Sequence, residues 1–261
     1  MSKHNLLAAP IFSTTIALIC LLLPLLSFAQ NTARLNEGNA ILVNFSYGYQ
    51  IPSADLRERF GNNGNIQTGV EYLTKSNFIF GINGGLLFGS IVKQDVLAGL
   101  RTQEGFIIAN DRQPADIQLR QRGWYAGGLV GKLFSLDPNN PRSGIRIALG
   151  AGLLQHKIRI QDEPQRVVAP LDREYKKGYD RLTNGLAISQ FIGYQLLSVD
   201  RRLNFTLGVE AIQGFTQNRR AFNFDTQMQD TAMRLDVLFG GRITWTLPFY
   251  LGSEGSSEII Y

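Results

Sequence analysis

Several kinds of chemistry are excluded by what this chain of 261 residues lacks. It has one cysteine, Cys20, inside an apolar leader segment, so the remainder has no disulfide, thiolate metal site or cysteine nucleophile. Of its two histidines, His4 also lies in that leader. His156 alone remains, which argues against a histidine metal centre. After the leader no apolar run is long enough for a transmembrane helix. Charge of one sign is not pooled either. The net charge is +5, and the long polar segments mix both signs, which argues against nucleic acid or another polyanion as partner.

The leader itself has the form of a secretory signal. Lys3 and His4 give a weakly positive start, residues 11–28 are an apolar core, and Ser27-Phe28-Ala29 before Gln30 offers small residues at a cleavage site. A retained anchor helix is the alternative, but the small-residue exit suits cleavage better. Lipidation at Cys20 would want a small residue before it, where Ile19 stands. The expected division is a cleaved signal over 1–29, a barrel over 30–251 and a periplasmic tail over 252–261.

What is present is alternation. Eight stretches of roughly ten residues have apolar side chains at every second position, and polar breaks, alternately long and short, separate them. They cover 39–50, 65–74, 78–89, 124–134, 144–161, 186–197, 203–215 and 235–251. Each is long enough to cross a bilayer as a tilted strand, which needs about 9–11 residues. The pattern predicts an all-β fold: an eight-stranded antiparallel up-and-down transmembrane β-barrel in the outer membrane of a Gram-negative bacterium. Short turns and both termini would be periplasmic and long loops extracellular. A soluble barrel has the same period with the faces reversed. Aromatics gather at strand ends instead, with Phe78, Phe80, Trp245 and Phe249 at one level and Tyr47, Tyr49 and Phe88 at the other. They read as two interfacial girdles.

The other face carries glycine and balanced charge. In the fourth strand Tyr125, Leu129 and Leu133 are assigned outward, and Ala126, Gly128 and Lys132 inward. The fifth strand changes phase near Leu153-Leu154, read as a bulge or as a strand leaving the membrane. The expected lumen plug is Glu71, Glu210 and Asp236 against Lys132, Arg146 and Arg242. Glu210 would lie beside Arg242, and Glu71 would reach Lys132. The rival reading of this set, a conduit for a small solute, lacks a ring of one charge sign.

In the loops, Ser53 is placed to cap a short helix ended by Gly61, and a second helix is expected over 92–100. The third loop holds Tyr175, Lys176, Lys177, Tyr179 and Arg181; the fourth holds Arg219, Arg220, Phe222 and Phe224. Aromatics and arginines at loop tips suit either contact with a protein partner or a self-packed cap over the mouth. For catalysis, His156 has Asp162 and Glu163 nearby but no serine within five residues, so it is read as a polar rim residue and the protein as a non-enzyme. No cofactor is implied.

The leader ending Phe28-Ala29-Gln30, the glycine- and aromatic-rich strands, and the terminal strand Phe239-Gly240-Gly241-Arg242-Ile243-Thr244-Trp245-Thr246-Leu247-Pro248-Phe249-Tyr250 resemble the small outer-membrane barrels of Bacteroidota. The resemblance is architectural and carries no site residues. It implies roles such as those of OmpA-type anchors, OmpW-type conduits or a small accessory barrel of the type IX secretion apparatus. The expectation is a structural or accessory component of a cell-envelope complex, embedded in outer-membrane lipid and acting on envelope protein partners through loops and tail. Solute transport is the alternative.

Overall fold

The structure, a computed structural model, describes residues 38–162, 167–172, 174–199 and 202–251. The expected signal segment and the tail over 252–261 lie outside the described residues. The elements run in chain order β1 (Asn39–Ala54), α1 (Asp55–Arg59), β2 (Asn63–Leu73), β3 (Phe78–Gly89), the short pair β4 (Ile107–Ile108) and β5 (Pro114–Ala115), β6 (Ile117–Asp137), β7 (Asn140–Asp162), β8 (Thr183–Leu197), β9 (Asn204–Asn218) and β10 (Met233–Leu251). Eight of the strands close into a barrel in the order β1-β10-β9-β8-β7-β6-β3-β2, every pair antiparallel. β1 and β10 form the seam, with Asn39 opposite Leu251 and Ala54 opposite Asp236.

The two ends of the barrel differ. One, the turn end, has the three short connections after β2, β6 and β8. The other, the loop end, has the four long ones. At the turn end Arg142, 2% exposed, donates to the Thr74 carbonyl at 2.7 Å, to Asn77 Oδ1 at 2.6 Å and to the Gly38 carbonyl. One guanidinium thereby ties the β2–β3 turn and the start of β1 to the β6–β7 hairpin.

The sense of the alternation is that of a membrane barrel. Ile66, Val70, Ile82, Leu86, Leu149, Leu207 and Trp245 point away from the axis and are exposed, while Glu71, Arg146, Glu210 and Arg242 point inward and are buried. A water-soluble barrel has the opposite arrangement.

The fourth predicted strand is the exception, because its faces are reversed. In β6 Tyr125, Leu129 and Leu133 point inward, while Val130 and Phe134 face out with Ala126, Gly128 and Lys132. Apolar residues occupy both parities of this strand, so alternation alone could not orient it. Lys132 is compatible with the outer face because it stands at the turn-end rim. Its ammonium lies 3.8 Å from the Phe78 ring centroid and donates to the Ser76 carbonyl at 2.7 Å.

The phase change near Leu153 is not a bulge. The β6–β7 register is unbroken there and shifts only at Ser135/Asp137. Even-numbered residues of β7 point inward throughout, and what changes is their character. Up to Leu153 the outer face is apolar (Ile145, Ile147, Leu149, Leu153); beyond it the outer face carries Gln155, Lys157 and Arg159, and the inner face Leu154, Ile158 and Ile160. A strand whose outer face turns polar and inner face apolar has left the lipid and entered a water-surrounded cap. β6 and β7 therefore continue as a ribbon past the other strands, and β6 starts at Ile117, seven residues before the expected position.

The loop helices differ from expectation as well. α1 forms, but Ala54 precedes it with no side-chain cap, and Phe60, not Gly61, closes it. The helix expected over 92–100 reduces to one 3-10 turn, Ala98–Leu100. Val96 and Leu97 are fully buried, and Asp95 Oδ1 accepts from the Leu97 N–H at 3.1 Å, a local bond that competes with helix.

Placement of the apolar belt is directly testable. Leu149→Arg lies midway along the outward apolar residues of β7 and is expected to destabilise the barrel by about 2–4 kcal/mol; Gln155→Arg, just past the belt, by about 0–1 kcal/mol. Reversible urea unfolding in lipid vesicles measures both. Equal losses would move the belt.

Candidate functional site

The inward side chains form three layers along the barrel axis. At the turn end Leu42, Leu73, Ile79, Leu133 and Leu197 form a fully or nearly fully buried apolar floor. At the loop end Leu56 and Phe60, from α1 and the residue after it, descend into the mouth. They pack with Val96, Leu97 and Ile107 of the second loop, Val168 and Leu171 of the third, and inward Leu154, Ile158, Ile212 and Leu238. A polar, ion-paired layer lies between these two apolar plugs.

The middle layer holds four of the six expected plug charges, in two ion pairs. Arg146 Nη2 meets Glu71 Oε1 at 2.6 Å, and Arg242 bonds Glu210. Glutamines complete the network. Gln67 donates to Glu210 Oε2 at 2.9 Å and accepts from Arg242 at 3.2 Å; Gln195 accepts from Arg146 at 3.2 Å. Phe191 of β8 meets both cations, with the guanidinium carbon of Arg242 4.0 Å and that of Arg146 5.9 Å from its ring centroid. The expected Glu71–Lys132 contact does not form: Lys132 is outside, and Glu71 belongs to Arg146. Gln67 was legible as an inward residue of its strand. Phe191 was missed because an aromatic in a polar lumen gives no signal in an apolar–polar alternation.

Asp236 lies apart from this layer, within the loop-end plug. It is fully buried. Arg59 Nη2 approaches Oδ1 at 2.6 Å, and Oδ2 is shared by His156 Nε2 at 2.7 Å and the Thr216 hydroxyl at 2.5 Å. His156 is therefore not a rim residue. It is 1% exposed and takes the Phe60 ring edge-on at 5.7 Å between centroids. Its carboxylate partner comes from β10, across the barrel, and not from the neighbouring Asp162, which bonds Lys176 at 2.7 Å. Glu163 lies outside the described residues. Arg59 escaped the sequence reading because a loop cation has no periodicity to show that it points inward. Together Arg59 and Asp236 pin α1 in the mouth, helped by Asp55 Oδ2, which accepts from the Leu235 N–H at 2.8 Å.

Among the described residues the lumen retains a cavity of about 20 Å³, bordered by Asn44, Gln67, Glu71, Arg146 and Arg242. That is of the order of one water molecule. The apolar residues of the floor and of the loop-end plug lie below and above it.

The third and fourth loops come together, mostly by bonding to each other. Phe224 packs against Tyr179 edge-on at 5.4 Å, Tyr175 at 6.2 Å and Phe222 at 6.1 Å, and its N–H donates to the Gly178 carbonyl at 2.9 Å. A side chain at 178 would put its Cβ 2.3 Å from the Phe224 ring, so glycine is required for this approach. Arg220 clamps Asp180 with two bonds of 2.8 and 2.5 Å. Arg181 bonds Asp225 and lies 3.6 Å from Asp230. Arg219 donates to Asn184 at 2.6 Å, and Lys177 to Glu174 at 2.7 Å. The cationic members of the set thus brace the cap, while Tyr175 and Phe222 remain exposed beside Met228 of the same loop region.

No family model matches the chain, and no curated protein matches it. Solved structures similar to it include Ail, the attachment invasion locus protein of Yersinia pestis. That alignment has 8% identity and a TM-score of 0.41, and covers 80% of this chain and 99% of Ail. Neisserial surface protein A aligns at 10% identity and TM-score 0.37, covering 80% of this chain and 97% of its own. The outer membrane protein OprG of Pseudomonas aeruginosa aligns at 10% identity and TM-score 0.35, covering 81% and 96%. Residue roles do not transfer at these identities.

The buried Arg146–Glu71 pair sets one prediction. Arg146→Met leaves Glu71 charged and unpaired and is expected to cost about 3–5 kcal/mol, and adding Glu71→Leu should recover most of that loss. Urea unfolding of the refolded barrel measures both variants, and a double variant no better than the single one would contradict the pairing. A second prediction concerns pH. Burial pushes the Asp230 carboxyl upward, but the hydrogen bond and charge of Arg234 outweigh it, so its pKa lies below the usual carboxylate range. A depressed carboxyl stabilises the fold above its unfolded pKa and loses that contribution as pH falls through its folded value. Protease nicking of the fourth loop is therefore expected to increase below about pH 4, and Asp230→Asn should remove that part of the pH dependence.

Proposed function

We propose that this protein is a non-enzymatic outer-membrane barrel that serves as a structural or accessory component of a cell-envelope complex, with its loop end extracellular and its turn end periplasmic. The observation that carries the reading is the lumen filled by buried, paired side chains. Two apolar plugs and an ion-paired middle layer suit a rigid post in the membrane, and an axial conduit would have to break the Glu71–Arg146 and Glu210–Arg242 pairs. The orientation follows the general rule for such barrels, short turns inside and long loops outside. As a non-enzyme, the protein uses His156 and Asp236 for structure, since Phe60 and the second loop cover them.

The loop end supports a contact role. Its charges are largely spent on bracing, which makes the cap a preorganised surface, and Tyr175, Phe222 and Met228 stay exposed on it. Rigid aromatics of this kind anchor protein interfaces at low entropic cost.

The test is a gentle-detergent pulldown of the tagged full chain from its native membrane, followed by mass spectrometry. Envelope proteins are expected in stoichiometric amount, and Tyr175→Ser with Phe222→Ser should deplete them while the barrel still folds. A barrel recovered alone would sink the accessory reading and favour solute transport by another route.

A further inference from the structure

Above the apolar belt, the outer face of the β6–β7 ribbon carries four cations in two facing pairs. The register sets Arg122 opposite Lys157 and Arg120 opposite Arg159. Inward-pointing Gln121, Ile158 and Ile160 alternate with them, so all four side chains share the outer face. Like charges directly opposite on antiparallel strands repel. Among the described residues no carboxylate pairs with any of the four. Of the acids at the ribbon's end, Asp162 is bonded by Lys176, and Asp116 accepts from Gln118 Nε2 at 3.4 Å. The hydrogen bonds they do make go to neutral groups: Arg120 to Gln118 Oε1 at 2.6 Å and Arg122 to the Gln121 carbonyl at 2.7 Å. Adjoining outward positions are uncharged, with Phe88 of β3 beside Arg122 and Asn184 of β8 beside Gln155.

The depth of these pairs suggests their counter-ion. The last outward apolar residues of the ribbon are Trp124 and Leu153. Two residues beyond Trp124, Arg122 and Lys157 stand about 7 Å further along the strand, and Arg120 and Arg159 about 13 Å further. The headgroup zone extends about 5–8 Å past the hydrocarbon on each side. With the strand tilt, the first pair falls within that zone and the second at its outer edge.

We propose that this ribbon face binds the phosphorylated headgroup of a glycolipid in the outer leaflet, its acyl chains lying along the apolar face below Trp124 and Leu153. A guanidinium grips a phosphate through two parallel hydrogen bonds, and an ammonium adds a point charge. A bound phosphate would also turn the repulsion across the two strands into a bridge. The assignment of leaflet rests on the orientation proposed above; the binding itself does not.

The test uses the full chain in neutral detergent micelles, with lipid A as the probe and native mass spectrometry as the readout. Wild type is expected to retain lipid A. The variant Arg120→Gln, Arg122→Gln, Lys157→Gln, Arg159→Gln should bind it at least about tenfold more weakly while keeping the gel shift of a folded barrel. If that variant does not fold, Arg122→Gln with Lys157→Gln serves, with a smaller expected loss. Lipid A stripped of phosphate should bind wild type and variant alike, and excess inorganic phosphate should leave lipid A bound. Equal retention by wild type and variant would overturn the proposal, as would full displacement by inorganic phosphate, which would mark a simple anion site. Extracellular labelling of the third loop on intact cells tests the orientation separately, so the two ideas fail independently.

Discussion

Closure of the sheet is the constraint on which the rest of the structure depends. In hydrocarbon an unpaired backbone N–H or C=O costs several kcal/mol, so a spanning sheet cannot keep an open edge. The β1–β10 seam removes it, matching sixteen residues of β1 one to one against β10. Closing a ring with only eight strands makes it narrow, and a narrow ring must be filled by its own side chains. The paired charges, the apolar plugs and the descent of α1 into the mouth all answer that geometry.

Filling the ring raises a second difficulty, which the layering resolves. An inward arginine within the membrane is expensive unless its charge is met and its donors are bonded. Arg146 and Arg242 are each met by a glutamate, supported by a glutamine, and set over the ring of Phe191. That ring offers each of the two like charges a π-face. Above and below, Leu56, Phe60, Leu42 and Leu133 exclude water from the network, which strengthens each pair.

Much of this was legible in the chain because a strand writes its two faces in alternate letters. The eight strands, their order along the chain, and the inward positions of Glu71, Arg146, Glu210 and Arg242 follow from that period. The misreadings occur where the period carries no information. β6 is apolar on both parities, so Lys132 was read inward when it reaches for the turn-end rim. The pairing of Glu71 with Arg146 instead of Lys132 depends on the angular order and stagger of strands, which no single strand encodes. Arg59 and His156 meet Asp236 across 177 and 80 residues of sequence, and one partner comes from a loop. The aromatic and arginine loops were recognisable by composition, but whether they bind each other or a partner depends on Asp180 and Asp225 reaching Arg220 and Arg181.

β7 brings these strands of argument together, because its inner and outer faces exchange character along its length. From Ile145 to Leu153 it is apolar outside, with Arg146 inside. From Leu154 to Ile160 it is apolar inside, with Lys157 and Arg159 outside. The outward apolar stretch is nine residues, the length a tilted strand needs to cross the hydrocarbon, and the exchange point coincides with Trp124 and Gln155 on one level. A sequence that looks as though it loses register is therefore recording where lipid ends. The same boundary explains why the plug above it has an oily core around the paired Asp236, Arg59 and His156, while the network below it is ionic. Outside the membrane the cap is surrounded by water and needs an oily core; inside it, lipid covers the outer face and the polar groups are left to the lumen.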